Sequence, residues 1–398
     1  MQVLMFGWEF PPYSSGGLGT ACFGLTKGLR NKGADVTFVI PAAPKNAKGG
    51  HVKLIVADSV KTIRITSIIS PYMNSEEFEL AKSKVSGRQM YGDNLFNEVY
   101  RYSIKAGEIA RHEQFDVIHS HDWMTYPAGI RAKEVSGKPL VVHVHATEFD
   151  RTGGNVNQQV YNIEREGLHA ADAIITVSNY TKNIVCNNYG ISPDKVTVVH
   201  NAVDFSNCKI SNVPRISAND KVVLFLGRIT IQKGPDYFIE SARRVLEHEK
   251  NVKFIVAGTG DMAAKMINRA AELGIADKVL FTGFLSGADI DRAYKMADLY
   301  VMPSISEPFG ITPLESMRNG TPVLISKQSG VSEVINNCLK VDFWDIDEMT
   351  NKILAVLRYP ALKTCLSDDG AREVSKFSWD IPAEKCLAVY SAVCGGKS

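Results

Sequence analysis

The sequence predicts an α/β protein built from two doubly wound domains in tandem. Two series of short apolar runs alternate with amphipathic stretches, and a polar segment at residues 204–220 separates them. Runs that are apolar on both faces and separated by helices are typical of parallel sheets covered on both sides. A chain of 398 residues is also too long for one ordinary core and suits two domains.

The first series begins at the N-terminus. Residues 3–6 predict a strand, residues 19–32 a helix and residues 35–40 the next strand. Further strands are predicted at residues 116–119, 140–144, 173–177 and 196–199. Residues 72–93 predict a long irregular insertion. We expect this domain to span residues 1–204.

The second series follows the polar linker, whose proline, serines and asparagines are typical of loops. Its strands are predicted at residues 221–226, 252–256, 279–281, 299–301 and 322–325. We expect this second domain to span residues 205–377. Ligands of such sheets bind beyond the carboxyl ends of the strands, so we expect functional residues directly after the strands.

Composition excludes several classes of protein. A net charge of +2 argues against a general nucleic-acid binder, and no apolar run reaches the length of an integral membrane segment. The N-terminus has no basic region and soon reaches Pro11 and Pro12, which favours a strand over a signal peptide. Seven scattered cysteines without CxxC pairing favour reduced thiols and a cytoplasmic location.

The first chemical motif is a glycine cluster between the first strand and the first helix, at Gly16 and Gly17. Glycines let a backbone approach a ligand closely, and a helix N-terminus favours an anion such as phosphate. A flexible turn is the alternative interpretation. The cluster matches neither the dinucleotide fingerprint nor the P-loop pattern.

The second motif places two cations in one loop, Arg228 and Lys233, after the strand at residues 221–226. Arginine offers a planar fork and lysine a point charge, and together they can neutralise a diphosphate. Two solvated surface charges are the alternative interpretation.

The third motif follows the strand at residues 299–301 and contains two glutamates. We expect a helix to begin near Gly310 or Ile311 and to present backbone amides to an anion. Glu315 lies on the face of that open end, where its carboxylate could hold two vicinal ribose hydroxyls. Glu307 precedes the helix, near the expected position of a sugar. A capping Glu307 and an exposed Glu315 are the alternative interpretation.

The fourth motif is a set of polar clusters at the strand ends of the first domain: residues 119–123, 143–148 and 200–204. Alternation along a strand places His143 and His145 on one side. The HxH pairs also raise the possibility of zinc, but no carboxylate or cysteine completes a recognisable ligand spacing.

Together these residues resemble the retaining glycosyltransferases of the two-domain GT-B fold. The resemblance is to family 4, and within it to glycogen-synthase-like members, and it covers almost the whole chain. Glu307 and Glu315 match the two-glutamate signature of that family, which is the most diagnostic element. The other matching elements lie at residues 8–12, 16–18, 121–123 and 201–204.

The resemblance implies a role for each site residue. The catalytic residues that it implies are His145, Glu307, Arg228 and Lys233. The donor-binding residues are Gly16, Gly17, Gly283, Phe284, Gly310, Ile311, Thr312 and Glu315. Asp122 and Asn201 would contact the sugar or acceptor. The segment at about 378–398 is similar to the family's final helix, which packs back on the first domain.

The resemblance also implies that the enzyme needs no metal or other cofactor, because the nucleotide sugar is a substrate. Arg228, Lys233 and a helix N-terminus can supply the charge that stabilises a leaving diphosphate. The implied mechanism retains the anomeric configuration through front-face attack assisted by the departing phosphate.

The expected partners are a nucleotide-sugar donor and a carbohydrate acceptor. The first hypothesis is glucose transfer from UDP-glucose or ADP-glucose to an α-1,4-glucan, as in glycogen synthase. Ser15 replaces the lysine that precedes the paired glycines in bacterial glycogen synthases, and the chain is shorter than those enzymes. The alternatives are a family 4 transferase with a lipid-linked or small acceptor, a nucleotide-sugar epimerase and a non-catalytic binding protein.

Overall fold

The computed structural model describes residues 1–12, 16–43, 48–57, 93–205 and 220–395, with the side chains of 93 and 94 left out. The chain forms two compact units. The first comprises Met1–Phe149, Gly154–Ala202 and Ser378–Ser398, and the second comprises Asp150–Gly153 and Val203–Phe377. Residues 72–92 of the predicted insertion and residues 206–219 of the predicted linker lie outside the described residues, and residue 93 begins a helix.

The first unit contains a parallel sheet with the strand order β3-β2-β1-β4-β5-β6-β7. Its strands are β1 (Gln2–Phe6), β2 (Asp35–Ile40), β3 (Lys53–Val56), β4 (Val117–His121), β5 (Leu140–Val144), β6 (Ala173–Thr176) and β7 (Val196–Val198). The order reverses between β1 and β4, and a crevice for ligands is expected at such a point.

Helices and short 3-10 turns connect these strands. The helices are α1 (Gly17–Asn31), α2 (Asp93–His112), α3 (Tyr126–Ser136), α4 (Glu148–Thr152), α5 (Gln158–Ala170) and α6 (Asn179–Tyr189), with turns at Trp123–Thr125 and Pro193–Lys195. Asn157 caps α5 and Ser178 caps α6, each accepting backbone hydrogen bonds at the helix start. Apolar side chains of α2, α3, α5 and α6 pack with those of the strands in a buried cluster of this unit.

The second unit contains a parallel sheet with the order β10-β9-β8-β11-β12-β13. Its strands are β8 (Lys221–Leu226), β9 (Val252–Ala257), β10 (Val279–Gly283), β11 (Leu299–Met302), β12 (Val323–Ser326) and β13 (Leu339–Val341). Its helices are α7 (Pro235–His248), α8 (Ala263–Glu272), α9 (Ala288–Met296), α10 (Ile311–Arg318), α11 (Ile346–Arg358) and α12 (Pro360–Val374). Short turns lie at Ile231–Lys233, Ala276–Lys278 and Gly330–Glu333.

The last helix, α13 (Asp380–Gly395), belongs to the first unit although it follows the second in sequence. Trp379 precedes it and lies against two glycines of α1. A Cβ atom at Gly24 would lie 2.1 Å from the Trp379 ring, and one at Gly28 would lie 2.4 Å from the Trp379 carbonyl oxygen. The glycines therefore create the space in which the indole packs.

The fold class predicted from the sequence is confirmed, since both sheets are parallel and doubly wound. Two short strands were not predicted, β3 and β13, because a run of three or four partly exposed residues gives little periodicity. The predicted end of β4 was wrong: the strand continues from residue 119 to His121, so His119 and His121 lie within it. The first helix begins at Gly17 and not at Gly19.

Candidate functional site

The loops after β8 and β11 contain the cations and the first glutamate that the sequence predicted. The two strands are neighbours at the point where the strand order of the second sheet reverses. In parallel sheets the residues that follow the carboxyl ends at this point are brought together. The loops of Lys233 and Glu307 therefore lie side by side.

Lys233 and Glu307 form an ion pair, with 2.5 Å between Nζ and Oε2. Only 8% of the Glu307 side chain and 21% of the Lys233 side chain are exposed, so water screens the pair weakly. The hydroxyl of Ser304 donates to the same carboxylate oxygen at 3.1 Å. The Glu307 amide donates to the Gln328 carbonyl oxygen at 3.0 Å, which fixes the backbone too. The Glu307 carboxylate is thus fixed by Lys233 and Ser304, and it does not cap α10.

Arg228 is exposed, and its guanidinium donates to Oε1 of Gln232 at 3.2 Å. Gln232 is buried, and its own carbonyl oxygen accepts a hydrogen bond from the Ile305 amide at 2.9 Å. Gln232 thus connects the arginine to the loop that carries Glu307. Gln232 and Ser304 were not predicted from the sequence, where their position within the two charged loops was the one available signal.

The start of α10 is open to a ligand of negative charge. Its N-cap is Gly310, which has φ 96° and no side chain to accept hydrogen bonds from the first amides. No acidic residue lies in the first turn, which begins with Ile311 and Thr312. The positive end of the helix dipole is therefore not compensated by a carboxylate of its own first turn.

Glu315 lies in the second turn of α10 and is partly buried, unlike the exposed side chain of the alternative interpretation. Burial raises the pKa of its carboxyl, while the charge of Arg318 and a hydrogen bond from Tyr294 act in the opposite direction. The Tyr294 hydroxyl donates to Glu315 Oε2 at 3.3 Å. A half-buried carboxylate that has a fixed donor is suited to accept hydroxyl groups from a ligand.

Gly283 and Phe284 lie at the end of β10, two strands from β8 in the same sheet. Gly283 has φ 72°, a conformation that favours glycine. The Phe284 side chain is 61% exposed. An exposed aromatic ring at a carboxyl-end loop is available to stack on a planar group.

In the first unit, Gly16 and Gly17 lie at the start of α1, where a carboxylate is already present. Oε1 of the buried Glu9 accepts the Gly19 amide at 2.9 Å. A Cβ atom at Gly16 would lie 2.4 Å from that oxygen, whereas one at Gly17 would meet nothing within 4 Å. The position of Glu9 therefore excludes a side chain at residue 16. Among the described residues, no neighbour excludes a side chain at residue 17.

Asp122 supports the loop that carries His145. It has φ 59°, and its Oδ1 accepts the amides of His145 and Ala146 at 2.7 Å and 3.2 Å. This support role was not predicted, because a left-handed conformation at an aspartate leaves no trace in the sequence pattern. Asn201 is also buried, three residues beyond β7.

His145 directly follows β5 and is the last member of a stack of four imidazoles, whose other three members lie on β4 and β5. The neighbouring members are His119, His121 and His143, and the stacked pairs have ring centroids between 4.3 Å and 5.3 Å apart. His121 Nδ1 and His145 Nε2 are 2.9 Å apart, and His119 Nδ1 lies 2.5 Å from the hydroxyl of Tyr390. The stack was not anticipated, because the predicted end of β4 was two residues too early.

Ring nitrogens of His119, His121 and His143 lie within 4.8 Å of one another, as do ligand atoms of Cys22, His121 and His145. A metal ion must lie near the plane of each imidazole that binds it. The planes of His119 and His121 differ by 27° and those of His119 and His143 by 6°, so their in-plane lone pairs do not converge. Burial also raises the pKa of the Cys22 thiol, which disfavours the thiolate that a metal requires. This arrangement fits ring packing better than chelation.

The stack makes stability depend on pH. Burial lowers the pKa of His119 and His145 to about 3, and it lowers those of His121 and His143 well below 6.5. The unfolded chain therefore binds more protons than the folded chain below pH 6.5, and stability falls as pH falls through that range. His119 and His145, whose pKa is about 3, are each expected to lower the stability by about 2 kcal/mol between pH 6.5 and 5.

Urea denaturation at a series of pH values measures this loss. The variant His143→Leu should show a shallower pH dependence than the parent, because one buried imidazole is gone. The exposed His112 provides the matched control, and His112→Gln should leave the slope unchanged. Equal stability of the parent at pH 7 and pH 5 would contradict the neutral, buried stack.

Comparison with known proteins agrees with this architecture. The model of the "Glycosyltransferase Family 4" domain matches residues 15–207, and that of "Glycosyl transferases group 1" matches residues 207–370. An uncharacterized glycosyltransferase of Methanocaldococcus jannaschii is 30% identical over 98% of both chains. The chain belongs to the family 4 glycosyltransferases. This GT-B enzyme thus carries its cations and glutamates in the domain of group 1, at the carboxyl edge of β8 and β11.

Other relatives of this glycosyltransferase have assigned activities. The glycogen synthase of Mycobacterium tuberculosis is 25% identical and covers 100% of this chain and 96% of its own. A D-inositol 3-phosphate glycosyltransferase of Segniliparus rotundus is 28% identical, over 73% of this chain and 69% of its own. Among solved structures, a sucrose-phosphate synthase from Thermosynechococcus elongatus has a TM-score of 0.78 at 18% identity, over 100% of both chains. In the described part of this glycosyltransferase, no helix is both long and apolar enough to span a bilayer.

Proposed function

We propose that this glycosyltransferase moves glucose from UDP-glucose or ADP-glucose to a hydroxyl of an α-1,4-glucan, with retention of the anomeric configuration. The observation that carries the proposal is the buried pair of Lys233 and Glu307, next to Arg228 and the open start of α10. The cations and the helix amides of this site suit the diphosphate of a nucleotide sugar. The fixed carboxylate of Glu307 suits the hydroxyl groups of its sugar.

Each part of the second-unit site has a role in this proposal. Arg228, Lys233 and the amides of Gly310, Ile311 and Thr312 bind the diphosphate and stabilise the charge that it gains as the glycosidic bond breaks. Glu307 contacts the sugar, and its fixed backbone keeps the carboxylate in place. Glu315 binds the ribose hydroxyls, and Phe284, next to Gly283, stacks on the base.

The proposal also assigns a role to each candidate residue of the first unit. Gly17 has open space where a Cβ atom would lie, which suits the close approach of the donor. Gly16 serves this role indirectly, because it makes room for Glu9. His145 faces the sugar as a neutral imidazole, since its pKa is about 3, and can exchange hydrogen bonds with it. Asp122 positions that histidine, and Asn201 contacts the sugar or acceptor.

The proposed reaction needs no metal and no other cofactor. The leaving diphosphate would be neutralised by Arg228 and Lys233 with the positive end of α10. The acceptor hydroxyl would attack from the face that the diphosphate leaves, and a phosphate oxygen would take its proton. Retention follows from attack on that face.

The relatives with assigned activities differ in the acceptor that they imply. The glycogen synthase relative aligns with the whole chain and favours a glucan. The inositol phosphate transferase relative aligns with 73% of the chain and favours a small acceptor, which we keep as the second candidate.

A matrix of donors and acceptors tests the proposal. UDP-glucose and ADP-glucose are each incubated with glycogen, with D-inositol 3-phosphate or with no acceptor, and nucleotide release is measured. We expect release above the acceptor-free rate only with glycogen, and an α-linked product by NMR. Release only with the inositol phosphate would support the second candidate, and interconversion of the free donor would indicate an epimerase. Addition of EDTA is expected to leave the rate unchanged.

A further inference from the structure

Two buried tyrosines lie against the start of α10. Tyr294 is in α9 and Tyr300 in β11, and their exposed fractions are 0% and 1%. The rings are 5.5 Å apart at an interplanar angle of 80°, which is a favourable edge-to-face contact. Each hydroxyl reaches a different residue of α10, so the pair forms a support with two separate contacts.

The two contacts involve different parts of the helix. The Tyr294 hydroxyl donates to Glu315 Oε2 at 3.3 Å. The Tyr300 hydroxyl lies 2.8 Å from Thr312 Oγ1 and 3.2 Å from the Leu226 carbonyl oxygen at the end of β8. Tyr300 therefore supports the first turn, where the diphosphate is proposed to bind, and Tyr294 supports the carboxylate in the next turn.

Several charged and polar groups surround the Glu315 carboxylate, and they interact with it in different ways. Arg318 on the same helix faces Glu315, but it forms an ion pair of 2.5 Å with Asp291 of α9. The charge of Asp291 itself raises the pKa of Glu315, and Tyr300 on β11 is a neutral neighbour. Among the described side chains, Tyr294 is the one that hydrogen-bonds the Glu315 carboxylate.

We propose that Tyr294 is a positioning residue that fixes Glu315 for the donor ribose and thereby sets the preference for ribonucleotides over deoxyribonucleotides. This inference rests on the proposed function, in which Glu315 binds the ribose. A carboxylate offers about four acceptor positions, so the contact with Tyr294 leaves room for two ribose hydroxyls. A fixed carboxylate discriminates between the sugars because a missing hydroxyl leaves it without its partner.

Nucleotide binding to the full chain tests the assignment. Calorimetric titrations compare UDP with 2′-deoxy-UDP, and ADP with 2′-deoxy-ADP. We expect the parent to bind the ribonucleotide about tenfold more tightly, as for one hydrogen bond to a charged group. Tyr294→Phe should reduce this ratio to about threefold or less. Tyr300→Phe is the matched control, because it should weaken both nucleotides equally and keep the ratio.

The dependence on pH gives a second measurement that a purely structural role would not change. The Tyr294 hydrogen bond lowers the pKa of Glu315, so its loss in Tyr294→Phe should raise that pKa. A protonated carboxyl accepts fewer hydroxyl groups, and ribonucleotide affinity should therefore begin to fall at a higher pH in the variant than in the parent.

The double variant Tyr294→Phe/Glu315→Gln distinguishes an effect of Tyr294 through Glu315 from a general disturbance of core packing by the phenylalanine. If Tyr294 acts through Glu315, the double variant should discriminate no less than Glu315→Gln alone. Additive losses, or a Tyr294→Phe variant with the ratio and pH profile of the parent, would overturn the inference and leave the proposed function intact. A parent that does not prefer the ribonucleotide would contradict the proposed role of Glu315 and the inference together.

Discussion

Lys233→Ala is expected to lower kcat/KM by about a thousandfold, because it removes a cation from the proposed leaving-group site. It should also destabilise the protein by about 3 kcal/mol. The reason is that Glu307 is buried and would lose the ammonium that compensates its charge. Steady-state kinetics with the donor that the matrix identifies, together with urea denaturation, measure the two effects on the same preparation.

A double variant separates these two effects. In Lys233→Met/Glu307→Gln neither buried charge remains, so most of the lost stability should return, while activity should stay low. If the double variant recovers activity along with stability, Lys233 serves the fold and not the donor. If Lys233→Ala keeps the kinetics of the parent, the proposed diphosphate site is wrong.

Gly234→Ala is expected to destabilise the protein by about 3 kcal/mol or more. Gly234 follows Lys233 with φ 61°, and a Cβ atom there would lie 2.2 Å from the Pro303 carbonyl oxygen. The substitution thus combines strain in a left-handed conformation with a backbone clash between the two site loops. Thermal and urea denaturation measure the change, and activity should fall with it because the Lys233 loop must move.

Gly274→Ala is the matched control for this prediction. Gly274 has φ 68°, but a Cβ atom there would meet nothing within 4 Å. It should therefore report the conformational strain alone, about 1 kcal/mol. Equal losses in the two variants would show that the close approach to Pro303 has no energetic consequence.

The sequence predicted the parts of the fold that follow from periodicity. Runs such as residues 221–226 and 252–256 are apolar on both faces and closely match β8 and β9. The start of α10 was predicted because Pro313 suits an early helical position, where a residue needs no amide partner. The short edge strands β3 and β13 could not be predicted, because each has only three or four residues and most of them are partly exposed, which leaves no clear apolar pattern.

The sequence also identified Lys233, Glu307 and Glu315 as candidates, but it could not predict what holds them. The ion pair between Lys233 and Glu307 joins two loops that only the strand order brings together. In the sequence, Tyr294 resembles any core aromatic residue in a helical pattern. The hydrogen bond of its hydroxyl with Glu315 is visible only in the structure. The histidine stack required β4 to continue through His121, two residues beyond the predicted end.

In the proposed function, a nucleoside diphosphate binds at the carboxyl edge of β8 and β11. The most direct measurement is a crystal structure of the chain with UDP or ADP, whichever stabilises it more in a thermal-shift assay. We expect diphosphate oxygens within hydrogen-bonding distance of Arg228 and Lys233, and ribose hydroxyls hydrogen-bonded to Glu315. A nucleotide bound elsewhere, with these three side chains facing solvent, would contradict it.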